Sequence, residues 1–258
     1  MLVEFDLKKT IDENASFYFE KYKKMKQKLE GAKFAYQKKL SEFKKASNED
    51  IARKEKEEKR AKDKTKKEWH EKFRWFFTST KKLVILGRDA TTNEIAVKKH
   101  VLPSELIFHT EMPKSPFAVI KADSKDITKE DIEETADAVA TFSQAWQNNI
   151  ANLDVFYVKP DQVTKESRAG EFVAKGAFMI YGKKNILPGK LNLSIGIMEG
   201  KPMAGPENAI KANCKEYISL VPGKKKSSEI AKLIQKKLGG EIDDIIRILP
   251  SGSFDLKR

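Results

Sequence analysis

The chain has 258 residues, 40% of them hydrophobic, enough to bury a real core in one large domain or two ordinary ones, which excludes a disordered tail. With 51 Lys+Arg against 38 Asp+Glu the formal net charge is +13, which favours a polyanionic partner, whether RNA, DNA or an anionic membrane, over an acidic or neutral surface.

In chain order, apolar side chains recur at Ala15, Tyr18, Tyr22, Met25, Leu29, Ala32, Tyr36, Leu40 and Phe43, alternating steps of three and four as a coiled-coil seam does. Next comes "KKASNEDIARKEKEEKRAKDKTKKEW", where Ser47 or Asn48 is placed to cap a second helix starting near Ile51. The expectation is a helical hairpin over 1–72, its second arm apolar only at Ile51, Ala61, Trp69 and Phe73. Residues 1–80 hold 23 basic and 15 acidic residues; mixed charges of this kind fit a solvated helix with i,i+4 pairs, or a surface for a large partner.

From Trp75 the period changes. Short β-prone runs appear at "RWFFTST", "KKLVILG", "EIAVKK", "LIFHTE", "FAVIKA", "LDVFYVKP", "GAFMIYG", "LNLSIGIM" and "YISLVPG", parted by Gly, Pro, Asn and Asp turns. Helices are expected at about Lys129 to Ala151, opened by a Thr128–Asp131 capping box, and at Ser227 to Leu238 before Gly239-Gly240, with a short terminal one stopped by Pro250. Strands with segregated helices predict an α+β chain: a coiled-coil hairpin, then over 73–258 a mixed, largely antiparallel sheet domain with packed helices. The aromatic cluster Trp69, Phe73, Trp75, Phe76 and Phe77 is expected at the hairpin root as core, and Trp146 is expected to be buried.

Chemistry-bearing motifs are few. A single cysteine, Cys214, excludes an intramolecular disulfide framework and fits a reducing compartment. His70, His100 and His109 are too far apart for a local zinc motif, so no metal or other cofactor is expected. No stretch approaches 18 apolar residues, and "MLVEFDLKKT" is unlike a signal peptide, so a soluble cytoplasmic protein without a membrane partner is expected. GxSxG, HExxH and a useful Cys-His pair are all missing, and Glu133-Glu134 and Asp243-Asp244 read as solvated helical acids, so no enzyme activity is expected. "LVPGKKKSSEIAKLI" has the layout of a P-loop but only one of its two glycines, Gly223. What it does offer is a helix start capped by Ser227 or Ser228 beside Lys224, Lys225 and Lys226, a favourable place for a phosphate.

The runs "KFRWFFTSTKKLVILGRDATTNEIAVKKHVLPSELIFHTEMPKSPFAVIK", "SQAW", "VFYVKPDQVTKESRAGEFVAKGAFMIYGKKN" and "YISLVPGKKKSSEIAKLI" resemble, in order, the C-terminal RNA-binding domain of the NFACT family, NFACT-R. The upstream "ENASFYFEKYKKMKQKLEGA" resembles that family's coiled-coil segment. Members include factors that bind large ribosomal subunits carrying a stalled, tRNA-linked nascent chain and extend it, and bacterial proteins named for fibronectin binding. The resemblance implies RNA binding within ribosome quality control. It also implies that this chain alone does not elongate a peptide, because the family's large N-terminal domain and following helix-hairpin-helix region have no counterpart; the chain is a fragment or a natural short paralogue. A second departure lies at 109–116, where the family's His-Ala-Asp-Leu-His-Gly-Ala reads "HTEMPKSP": His109 remains, while Pro113 replaces the second His and Lys114 the Gly. That loop is expected to have lost a backbone approach that needs glycine.

Gly87-Arg88-Asp89 reads equally as a charged turn, with Arg88 bridging to a carboxylate such as Glu94, or as a site for a phosphate or splayed base, with Asn93, Lys98, Lys99 and His100 nearby. "GKKN" at 182–185 is a hairpin turn or a phosphate contact. The candidate RNA-binding set is Arg88, Asp89, Asn93, Lys98, Lys99, His109, Lys165, Lys183, Lys184, Asn185, Lys224, Lys225 and Lys226, with Asp89 shaping the turn and Arg88 reaching out of it. The expected partners are large-subunit rRNA or tRNA, and a coiled-coil protein or second copy through the seam. The alternative is a dimerising scaffold with incidental RNA affinity.

Overall fold

The structure, a computed structural model, describes residues 4, 6–8, 10–62, 68–166 and 173–257, with the backbone alone over 42–62. It divides into two compact units, Met1–Lys67 and Glu68–Arg258.

The first unit is one helix, α1 (Ile11–Lys62), of 52 residues, about 78 Å long at 1.5 Å per residue. Thr10 and Glu13 form its capping box: Glu13 Oε2 accepts from the Thr10 amide at 2.8 Å, and the Glu13 amide donates to Thr10 Oγ1 at 3.3 Å. Asn14 adds bonds to both sides of the Asp6 peptide, accepting from Asp6 N at 3.0 Å and donating to Asp6 O at 3.1 Å. The seam residues Tyr22, Met25, Leu29 and Tyr36 are all more than half exposed.

The two-armed hairpin does not form here, because the α1 backbone runs unbroken through 47 and 48. Ser47 and Asn48 are only weak helix breakers, and the Lys, Glu and Ala residues around them favour continuation, with no Gly or Pro to force a turn. The side chains of Phe43, Ser47, Asn48, Ile51 and Ala61 lie outside the described residues.

The second unit opens with a 3-10 turn, Trp69–Lys72, and strands β1 (Arg74–Phe77) and β2 (Leu83–Leu86), then helix α2 (Ala90–Lys99). Strands β3 (Leu106–Thr110) and β4 (Ala118–Ile120) precede helices α3 (Lys129–Thr141) and α4 (Gln144–Asn148). Then come β5 (Asn152–Val158), β6 (Val163–Thr164), β7 (Met179–Ile180), β8 (Asn185–Lys190), β9 (Leu193–Met198) and β10 (Lys201–Gly205). Helix α5 (Glu207–Asn213), β11 (Tyr217–Lys225), α6 (Ser227–Leu238), α7 (Ile242–Ile248) and β12 (Phe254–Leu256) complete it.

The main sheet has the order β1-β2-β4-β3-β5-β8, with every neighbouring pair antiparallel. A second antiparallel sheet, β10-β9-β11-β12, meets it where β10 packs on β1, and β6 pairs with β7 separately. Val84, Ile85 and Leu86 are all fully buried, so β2 is covered on both faces, which is why it reads as an unbroken apolar run. Helix α3 lies on β8 and β5, and Gly189 permits this: a Cβ there would stand 2.7 Å from the Ala136 carbonyl oxygen.

Several local expectations change. "EIAVKK" is helical, because Asp89 caps α2 and exchanges bonds with Thr92; a strong start signal outweighs the β-branched content. The 129–151 helix breaks at Phe142-Ser143, where Ser143 Oγ bonds back to the Ala140 carbonyl at 2.6 Å and accepts from the Ala145 amide at 3.0 Å, ending one helix and capping the next. Helix α6 has Lys226, not a serine, at its N-cap. "GKKN" is not a hairpin turn: it joins β7, paired with β6, to β8, paired with β5. Glu134 is buried, accepting from the Ser79 amide at 2.8 Å, and so fastens the β1–β2 turn instead of facing solvent.

Phe73, Trp75, Phe76 and Trp146 are buried, whereas Trp69 is exposed on one side and stacks on His100 with ring centroids 4.7 Å apart. Lys72 Nζ lies 2.7 Å from His100 Nε2, and His70 meets Trp75 edge-on at 4.9 Å.

Candidate nucleic-acid interface

A cleft of about 800 Å³ opens where the end of β2, the start of α2, the β3–β4 loop and the segment before β7 converge. Its geometry begins at Gly87. A side chain there would place Cβ 1.8 Å from Asn93 Oδ1, so only glycine lets Asn93 turn back under the β2–α2 turn. Asn93 then clamps the facing loop, accepting from the Phe117 amide at 3.0 Å and donating to the Ser115 carbonyl at 3.3 Å. On the other wall Gly176 (φ +80°) packs on Ala90, and its amide donates to Glu94 Oε2 at 3.3 Å.

Two arginines lie at the cleft floor. Arg88 Nη2 donates to the Glu71 carbonyl at 3.0 Å and the Phe73 carbonyl at 2.7 Å; Arg74 donates to the Gly87 and Leu249 carbonyls at 3.4 and 3.2 Å. Both Nε atoms are buried without a hydrogen-bond partner. Among the described residues neither guanidinium is ion-paired; Asp89 and Asp244 act on them only at longer range. Burial, and then the charge of Arg88, pushes Arg74 down to about 10, and burial followed by Arg247 lowers Arg88, so the two remain adjacent cations at neutral pH.

Around them stand aromatic rings. His109 stacks on Phe117 with centroids 3.8 Å apart, and its Nδ1 is 2.9 Å from the Pro116 carbonyl. Burial lowers its pKa, and since a carbonyl only accepts, the neutral ring carries its proton on Nδ1. Phe178 meets Phe117 edge-on at 5.3 Å, and the Arg74 guanidinium lies 5.1 Å over Phe142. Lys184 is ion-paired to Glu111 and sits 4.6 Å over Phe156. Lys114 holds a left-handed backbone (φ +59°) at the rim, and Lys175 is on the same rim. Lys114 thus carries a cation on a backbone conformation that glycine adopts without cost.

Of the thirteen candidate residues, the cleft gathers Arg88, Asp89, Asn93, His109 and Lys184. Asp89 and Asn93 are occupied in holding the turn, and the Thr92 backbone N–H keeps the Asp89 carboxyl below its usual range. Arg88 does not reach outward; it turns in to the Glu71 and Phe73 carbonyls, and Lys98, not Arg88, pairs with Glu94, at 2.6 Å. Lys98, Lys99, Lys183 and Asn185 are exposed outside the cleft lining. Lys165 lies over the Phe178 ring at 4.9 Å and bonds the Ala174 carbonyl. Lys224, Lys225 and Lys226 also lie outside the lining, and Asp255 enters their turn, accepting from the Lys224 amide at 3.1 Å and Lys225 Nζ at 2.8 Å.

Arg74, Lys114, Lys175 and the Phe117, Phe142, Phe156 and Phe178 rings were not among the candidates. An arginine inside the apolar run "RWFF" was the available signal for the first, since such a charge enters a core strand only with a dedicated set of acceptors.

Fold and cleft together define a class: an α+β module with a basic, aromatic-lined cleft beside a sheet end. Residues 72–182 match the family described as the NFACT protein RNA binding domain. The chain is similar to the archaeal Rqc2 homolog aRqcH of Methanocaldococcus jannaschii, 33% identical over 198 residues, covering 74% of this chain and 29% of that protein. It is also similar to the ribosome quality control complex subunit NEMF homolog of Drosophila melanogaster, 36% identical over 130 residues, covering 50% of this chain and 13% of the fly protein. A solved structure, the C-terminal of the fibronectin/fibrinogen-binding protein from Streptococcus suis, is similar over 49% of this chain and 48% of its own, at 19% identity and a TM-score of 0.40. The chain belongs to the NFACT family, and it spans less than a third of the length of these two curated relatives.

Proposed function

We propose that this chain is the RNA-binding part of a ribosome-associated quality-control factor, gripping rRNA or tRNA on the large ribosomal subunit that carries a stalled nascent chain. The observation that carries this reading is that the matched stretch, 72–182, contains the cleft's Arg74, Arg88, Lys114 and Lys175, a cation set without carboxylate partners on its two arginines. RNA supplies the missing phosphates and the bases that aromatic rings recognise. The chain works in the cytosol, without catalysis or a cofactor of its own; among the described residues no helix is long and apolar enough to cross a membrane.

The deciding experiment is co-migration with large ribosomal subunits on a sucrose gradient. Wild type is expected to co-migrate and a Lys114→Ala/Lys175→Ala variant to lose most of that association. A chain that stays at the top of the gradient, or a variant indistinguishable from wild type, overturns the reading.

A second reading concerns α1. Its exposed Tyr22, Met25, Leu29 and Tyr36 repeat at coiled-coil spacing and suit a helical partner or a second copy. Sedimentation of the chain with and without RNA separates the two: a dimer indifferent to RNA favours the scaffold.

A further inference from the structure

The charged floor and the aromatic wall of the cleft are set against each other in a way that a purely phosphate-binding groove does not need. We infer that the cleft takes one unstacked nucleotide of a folded RNA, its phosphate drawn to Arg88 and Lys114 and its base laid against Phe178, beside His109. This deepens the RNA-binding reading and rests on it.

Three observations support the assignment. The first is charge. Arg74 and Arg88 spend their side-chain bonds on main-chain carbonyls, which neutralise nothing, and both Nε atoms are left buried and unpartnered. Such a pair holds a positive field in a low-dielectric recess, and an anion entering it is stabilised more than at an open lysine. The Lys224–Lys226 turn differs in that Asp255 already occupies it.

The second is the wall. His109 lies flat on the buried Phe117, and Phe178, only partly buried, stands edge-on to that ring, so Phe178 is the aromatic side chain of the wall that is open to a base. A base in a duplex keeps its faces against its neighbours, whereas a base splayed from a loop or end offers one to such a surface. The volume, about 800 Å³, lies within the range of about 300–1,000 Å³ that small-ligand pockets occupy, and suits one nucleotide with its flanking phosphates rather than a helix.

The third is strain. Lys114 sits at φ +59°, where glycine rests without cost, and its side chain is at the cleft rim. Strain retained at a cleft marks a side chain kept for what it does there.

The test uses the full chain and two RNAs of equal length: a hairpin with 2-aminopurine in its loop, and a blunt duplex. The hairpin is expected to bind about tenfold or more tighter than the duplex, with a change in 2-aminopurine emission, in line with base–aromatic stacking. Phe178→Ala should bring hairpin affinity down to the duplex level and leave the duplex unchanged. Lys114→Gly, which the backbone favours, should weaken the hairpin while keeping the thermal midpoint at or above wild type. Equal affinities for the two RNAs, or equal losses on both in Phe178→Ala, overturn the nucleotide pocket and leave RNA binding standing. No binding of either RNA overturns both. Saturation by AMP without RNA binding also overturns it, since the site would then serve free nucleotides.

Discussion

Asn93 Oδ1 occupies the space that a side chain on Gly87 would take, 1.8 Å from where its Cβ would be. The turn and the 115–117 loop are therefore locked by one amide, and the glycine serves an internal contact instead of leaving room for a ligand. Gly87→Ala should displace Asn93, break two buried hydrogen bonds and cost about 2 kcal/mol or more, read as a lower urea midpoint with unchanged slope. A variant as stable as wild type would show that the lock is not needed.

Lys114 in its left-handed conformation predicts the opposite sign. Lys114→Gly removes a backbone penalty of about 1 kcal/mol and should raise the thermal midpoint, whereas Lys114→Ala, which keeps a Cβ, should not. Equal midpoints for the two variants would refute the strain.

Stability should depend on pH below neutrality. Burial lowers the pKa of His70, His100 and His109 from 6.5, so between the folded and unfolded values the unfolded chain binds more protons. Stability is then full above about pH 6.5 and falls as the pH drops toward the folded values. His109→Gln should flatten that decline in chemical denaturation at pH 7, 6 and 5; an unaltered profile would mean that His109 is not buried as the neutral form.

RNA affinity should fall steeply with salt, because each neutralised phosphate releases counterions. Removing one cleft cation, Lys114 or Lys175, should lower the magnitude of the log–log slope by roughly 0.7 on single-stranded RNA. Lys225→Ala should change it less, since Asp255 already pairs with that lysine at 2.8 Å. The reverse order would move the phosphate contacts to the 224–226 turn.

The same acid argues against nucleotide use at "GKKK". A Cβ on Gly223 would meet Asp255 Oδ2 at 2.3 Å, so a carboxylate stands where a phosphate cradle would be. ATP and GTP should leave the thermal midpoint unchanged; a shift of several degrees with either would reopen that reading.

The parts legible in sequence were those with local causes. The Thr128–Asp131 box, the α6 span before Gly239 and the apolar runs of β2, β3, β4 and β5 emerge as expected, because caps and buried strands carry their signal within a few residues. The "EIAVKK" run is strand-like in composition, yet the Asp89 cap just before it makes it a helix. The cleft was half legible for a different reason. Arg88 and His109 stood out as residue types, but Arg74 joins them only because β1 pairs with β2, and Phe178 arrives from a segment far along the chain. Nor does composition reveal that three lysines in a row share their turn with Asp255, 30 residues away.

The stack of Trp69 on His100 gives the molecule an optical handle. A protonated imidazole quenches a neighbouring indole more strongly than a neutral one, and Trp75 has its own partner in His70, while Trp146 lies deep beside Phe254. Two of the three indoles therefore sit against imidazoles, so intrinsic emission, without any attached dye, reports the ionisation of the histidines beside the start of the globular unit.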